Sequence, residues 1–281
     1  MGRYIRPSNL DQAVAALAQG RLTVLAGGTD IYPAHVARPI RDDILDIGGL
    51  EELIGIDETD DCYRIGAATP WHYLLNNDLS PQFSGLIAAA RDIGGWQVQN
   101  TGTIVGNVCN ASPAADGVPM LMAMDAYVEL SSMHGVRKLP VGEFVIGNRR
   151  TAIFSDELLS AIIIPKAKND AVSGFKKLGA RRYLVISIVS VAGAMEIDRS
   201  GIVTDARFAV GSCSEVAQRL PILEHEILGR NCDTDFATLV AAHQFSHLRP
   251  IDDIRATASY RLEAVETMTK RLLDQMGGRD G

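Results

Sequence analysis

The chain has 281 residues, 47% of them hydrophobic, and a formal net charge of −7. That length accommodates two or three subdomains with cores of their own. The acidic balance argues against nucleic acid or an anionic membrane surface as partner, and no apolar run approaches the roughly 20 residues of a membrane span.

The N-terminal MGRYIRPSNLDQAV lacks the apolar core of a signal peptide. Arg6 stands where a myristoylation motif needs Ser or Thr, so a cytoplasmic protein is expected. Cys62, Cys109, Cys213 and Cys232 form no CxxC pair. An iron–sulfur cluster, a structural zinc or a disulfide framework within this chain is therefore not expected.

In chain order, SNLDQAVAALAQG reads as a helix capped by Ser8 and stopped by Gly20. RLTVLAGG is a buried strand entering a glycine turn, and TDIYPAHVAR a short irregular helix opened by Thr29. DDILDI, LIGI and CYRIGAAT are short strands, and the first β–α–β unit closes near residue 55. Thr69 and Pro70 provide a cap and a first-turn proline for PWHYLLNN. PQFSGLIAAARDIG is a helix ended by glycine. A small-residue loop, TGTIVGNVCNASPAAD, precedes helix GVPMLMAMDA and strand YVELSS; LLSAIIIP is a β-branched strand. The polar bridge KAKNDAVSG marks a boundary near residue 170. Beyond it come a hairpin turning at Arg199 to Gly201 and three helices, the last with Ala258, Leu262, Val265, Met268, Leu272 and Met276 on one apolar face.

Two stretches carry the chemistry. In VLAGGTDI a strand runs into Gly27 and Gly28, where the lack of a Cβ lets the backbone approach a ligand; a plain strand–helix turn is the alternative. It is not the GxGxxG fingerprint, which is absent. In the second stretch Thr101, Gly102, Thr103, Gly106 and Asn107 can form a backbone cradle, with Asn110 and Ser112 adding short polar groups. Asp116 is its sole carboxylate, placed either to cap the next helix or to hold a ribose hydroxyl or ring N–H. FKKLGARRY gathers four cations, either a solvated face or a partner for an anionic ligand through Lys177 and Arg181. His243 and His247 stand four apart without an HExxH pattern and read as a helix face rather than a zinc site. No GxSxG supports serine hydrolysis.

The ordered set AGGTD, TIVGN…ASPAAD, ELLSAIIIP and FKKLGARR resembles, over essentially the whole chain, the FAD-binding medium subunit of molybdenum hydroxylases, the xanthine dehydrogenase and carbon monoxide dehydrogenase family. The resemblance implies an α+β fold: a two-subdomain FAD-binding unit of the vanillyl-alcohol-oxidase (PCMH) type, residues 1–55 and 56–170, plus a small α+β C-terminal domain, 171–281. It assigns the cofactor FAD to Val24, Leu25, Ala26, Gly27, Gly28, Thr29, Asp30 and Ile31 around the pyrophosphate. The second loop adds Thr103, Ile104, Gly106 and Asn107, with Asp116 as a polar contact. Ile93, Leu159 and Lys177 match positions that touch the flavin or adenosine. Val105 departs from the family's TIGGN, and YLVIS departs from the sequence usual after the double arginine.

The function implied is an electron-transfer flavoprotein subunit with no metal of its own. Its partners would be a molybdenum-cofactor subunit and a 2Fe–2S subunit, in a heterotrimer that two-fold symmetry can double. The alternatives are a stand-alone flavin oxidase, for which the C-terminal part is small, and a non-catalytic ligand-binding protein on the same fold.

Overall fold

Strand Leu158–Pro165 is buried along all but its last residue. It therefore needs partners on both edges and cover on both faces. It occupies the middle of a five-stranded antiparallel sheet, ordered Ile56–Glu58, Cys62–Gly66, Leu158–Pro165, Tyr127–Ser132, Gly135–Pro140. A register shift between Leu159 and Ala161 puts a bulge near its start, in the pairing with Tyr127–Ser132. The computed structural model describes residues 2–278.

Before this sheet lies a parallel one in the order Tyr4–Ile5, Ile44–Asp46, Thr23–Leu25. Helix Leu10–Ala18 makes the first crossover and buries Ala13, Val14 and Leu17. Asn9, not Ser8, caps it, accepting from the Gln12 amide at 2.9 Å. LIGI is not a strand: Glu51–Leu53 is a 3₁₀ turn and the next strand starts at Ile56. Pro70 takes the cap position of helix Trp71–Asn76. The Thr69 hydroxyl turns away, bonded to the Gly55 amide and carbonyl at 2.9 and 3.0 Å.

The third sheet runs Asp170–Leu178, Val189–Ile197, Val203–Gly211, Gln218–Arg219, all antiparallel. The polar bridge is thus the start of its first strand. The hairpin turn falls where the sequence puts it, between Ile197 and Val203. Strand Val189–Ile197 is covered on both faces. Val189, Val191 and Met195 join the core under the last helix, Ala258–Met276, whereas Ala192 and Ala194 join the core shared with the other sheets. Helices Ser84–Asp92 and Gly117–Ala123 press on that second face, and alanines suit so close an approach.

Of the three C-terminal helices expected, only the last is long. SEVAQRLPILEHEILG gives strand Gln218–Arg219 and helix Pro221–Ile227, and TDFATLVAAHQFSH gives two 3₁₀ turns, Phe236–Leu239 and Ala242–Phe245. On Ala258–Met276, Val265, Met268 and Leu272 are buried as the periodicity requires, but Leu262 is exposed and Arg261 is buried beside them.

Candidate functional site

Strand Thr23–Leu25 delivers the first glycine loop to the mouth of a cleft of about 500 Å³. Gly28 has φ +69°, open to glycine and costly for branched residues. A Cβ on Gly27 would fall 1.8 Å from the Thr101 carbonyl oxygen, so the first loop is seated directly against the second. The backbone amides of Gly27, Gly28 and Thr29 donate to no protein acceptor among the described residues. Donors gathered without a partner suit an anion. Thr29 does not open a helix: the one that follows spans only Ile31–Ala34, and Asp30 precedes it without a capping bond.

The second stretch is largely helical. Helix Trp96–Thr101 ends at Gly102, and helix Ile104–Asn110 is capped by Thr103, whose hydroxyl accepts from the Gly106 amide at 2.9 Å. The Ile104 amide bonds to the Thr69 carbonyl at 3.1 Å and the Trp71 amide to the Gly102 carbonyl at 3.1 Å, which pins this stretch beside helix Trp71–Asn76. Asn110 bridges the two loops. It donates to Asp30 at 3.0 Å and accepts from Arg149 at 2.9 Å. Val105, where the family pattern has glycine, is 3% exposed and forms part of the cleft wall.

All of the residues assigned by resemblance line this cleft except Leu25, Ile104, Asp116 and Lys177. Leu25 and Ile104 are core residues. Asp116 and Lys177 meet each other: Lys177 Nζ donates to Asp116 Oδ2 at 2.7 Å and to the Asp92 carbonyl at 3.1 Å. Ser187 donates to the other oxygen of Asp116 at 2.5 Å. Both ionic side chains are buried, at 8% and 5% exposure. Asp116 precedes helix Gly117–Ala123 but makes no capping bond; Asn107 accepts from the Gly117 amide instead. Burial raises the Asp92 carboxyl above its ordinary value, opposed by Lys177 and aided by Asp116.

The sequence offers no local sign of the remaining wall. Thr23, Ile47, Trp71 and Val98 enter from strand ends and helix faces, and Thr151, Ile153 and Leu158 from the segment that leads into the central strand. The lining holds no lysine or arginine, so an anionic group there would rest on amides and hydroxyls, and the apolar remainder suits a flat ring system. His243 and His247 do not converge. His243 Nε2 lies 3.8 Å from Glu226, and His247 Nε2 bonds to the Arg219 carbonyl at 2.9 Å. Among the described residues no cluster of His, Cys, Asp or Glu is arranged for a metal ion.

A glycine-loop cleft with unsatisfied amides, set in an α+β frame, suits an anionic ligand that also carries a flat ring system. Residues 1–167 match the family described as "FAD binding domain in molybdopterin dehydrogenase" and residues 174–276 that described as "CO dehydrogenase flavoprotein C-terminal domain". The chain belongs to this family of FAD-binding subunits of xanthine and carbon monoxide dehydrogenase type, an oxidoreductase family whose cofactor is FAD. It is 32% identical to the xanthine dehydrogenase FAD-binding subunit of Escherichia coli O157:H7, covering 97% of this chain and 94% of that one. It is 30% identical to the nicotinate dehydrogenase FAD-subunit of Eubacterium barkeri, covering 98% and 97%. The carbon monoxide dehydrogenase of Hydrogenophaga pseudoflava contains a chain that superposes with a TM-score of 0.89 at 27% identity, over 99% of this chain and 98% of that one. No helix among the described residues is long and apolar enough to cross a membrane.

Proposed function

We propose that the protein is the FAD-carrying electron-transfer subunit of a heteromeric molybdenum hydroxylase of the cytoplasm. Its role is to take electrons from iron–sulfur clusters on one partner chain, which a molybdenum-cofactor chain supplies by oxidising the substrate, and to deliver them to an external acceptor. The observation that carries the reading is the closure of two glycine–threonine loops on one cleft, with three unsatisfied amides at its mouth. The word "subunit" in the relatives' names and the molybdopterin in the family's description support an assembly.

Bound FAD supplies the redox chemistry; the chain supplies the setting. In this reading the amides of Gly27, Gly28 and Thr29 hold the pyrophosphate, with Thr103 and Asn107 fixing the second loop. Ile93 and Leu159 enclose the apolar parts of the cofactor. Lys177 holds positive charge beside the cleft, anchored by Asp116. The division into 1–55, 56–170 and 171–281 belongs to the same reading, and the grouping of the strands into three larger sheets supports it.

Purification from the native source under mild salt tests it, with partners identified by mass and flavin by absorbance. A yellow complex containing one chain with 2Fe–2S clusters and one with molybdenum is expected. A colourless, solitary chain would overturn the proposal.

A further inference from the structure

Residues 152–157 join strand Arg150–Thr151 to strand Leu158–Pro165 without regular structure. This segment contributes Ile153 to the lining of the cleft, between Thr151 and Leu158. Such a segment needs partners for its own backbone groups and a reason to hold one shape. The Ala152 amide bonds to the Phe144 carbonyl at 2.8 Å and the Glu157 amide to the Phe154 carbonyl at 3.1 Å, and one ion pair outside the cleft adds to these. Arg137 Nε donates to Glu157 Oε1 at 2.5 Å, and the guanidinium also donates to Glu157 Oε2 and to the Ala152 carbonyl, each at 2.8 Å. Glu157 Oε2 accepts from the Phe154 amide at 2.8 Å. The guanidinium carbon stands 4.5 Å from the Phe154 ring centroid. Positions 152 and 154 are therefore tied to strand Gly135–Pro140 on either side of Ile153. The Glu157 side chain is 6% exposed and that of Arg137 34%, so the carboxylate has little access to water and depends on the fork of the arginine.

We propose that Arg137 and Glu157 form a positioning clamp that sets the place of Ile153 in the cleft lining and thereby the affinity for FAD, although neither side chain lines it. The proposal rests on the reading of this cleft as the flavin site. A staple that merely stabilises the fold would leave flavin affinity untouched, and that difference is measurable.

The full chain, stripped of flavin, is titrated with FAD by fluorescence quenching, with thermal melts of each apoprotein beside it. Glu157→Gln keeps the shape and removes the charge; Arg137→Lys keeps the charge and removes the fork. Each is expected to weaken FAD binding by about tenfold, the weight of one lost charge-assisted contact. The double variant should be no weaker than the worse single one, because the two groups act as a unit. The visible circular dichroism of the bound flavin should change shape in all three. Wild-type affinity and spectrum with only a lowered melting temperature would overturn the clamp. If Glu157→Gln does not fold, Arg137→Lys decides the matter alone. Ile153→Asp and Gly28→Val tell the two readings apart. Weakened binding in these with wild-type affinity in the clamp variants refutes the clamp alone, whereas wild-type affinity in these refutes the cleft as flavin site.

Discussion

At Gly28 a side chain meets two obstacles at once. The backbone is left-handed, with φ +69°, and an added Cβ would fall 2.4 Å from the Tyr32 ring. Gly28→Val is expected to yield a folded protein poor in flavin, read from the flavin-to-protein absorbance ratio after purification; full occupancy would refute the role given to this loop. The buried pair of Lys177 and Asp116 makes a different demand. Removing one partner from such a pair strands a charge, at about 3–5 kcal/mol. Lys177→Met should lower the unfolding free energy by about that much, and adding Asp116→Leu should recover most of the loss. Urea denaturation of the three proteins checks this, and additive losses would show that the side chains act separately. Resemblance could mark both residues as cofactor contacts, but no local pattern pairs side chains 61 positions apart.

The last helix shows what periodicity can and cannot read. Its apolar stripe fixes Val265, Met268 and Leu272 inward, yet Arg261 takes a buried place where Leu262 was expected. The reason is polar: Arg261 donates to the carbonyls of Ile188 and Ser212 and to Asp253. Asp253 in turn braces the segment before the helix. The Arg255 amide above all, with the Ala256 amide and the Arg255 and Arg261 guanidinia, lowers its carboxyl from the ordinary 3.8 to about 2 against the opposing effect of burial. A depressed carboxyl contributes stability that is present in full above its unfolded value and is lost as pH falls through the folded one. Asp253→Asn should therefore flatten the stability profile between about pH 4 and pH 2, measured as urea midpoints at stepped pH. The short elements were harder to read. Polar first residues hid the strand Asp170–Leu178, and one-turn 3₁₀ segments such as Phe236–Leu239 carry too few residues to declare a period.

For the whole molecule, the two glycine–threonine loops stand out in the sequence because their signs are local: small residues in both, a strand before the first, and a capping threonine, Thr103, in the second. The rest of the lining does not, because Ile47, Trp71 and Ile153 converge only through the packing of the sheets. A ligand enclosed by segments so far apart stabilises the folded state by mass action. At a free FAD concentration of 100 times its dissociation constant the gain is about 2.7 kcal/mol. The melting temperature of the stripped protein should therefore climb steadily with added FAD, whereas Gly28→Val should not respond. A wild-type melt indifferent to FAD would mean that the cofactor does not bind across these segments.

The sheet order also sets a timetable for biosynthesis. Leu158–Pro165 lies between Cys62–Gly66 and Tyr127–Ser132, so the central strand of its sheet is the last of the five to leave the ribosome. The two glycine loops can meet once residue 110 has emerged, but Ile153 and Leu159 follow only after some forty or more further residues, a delay of seconds at the usual 5–20 residues per second. The part of the cleft wall that Ile153 and Leu159 provide is thus completed only when the fifth strand joins its sheet.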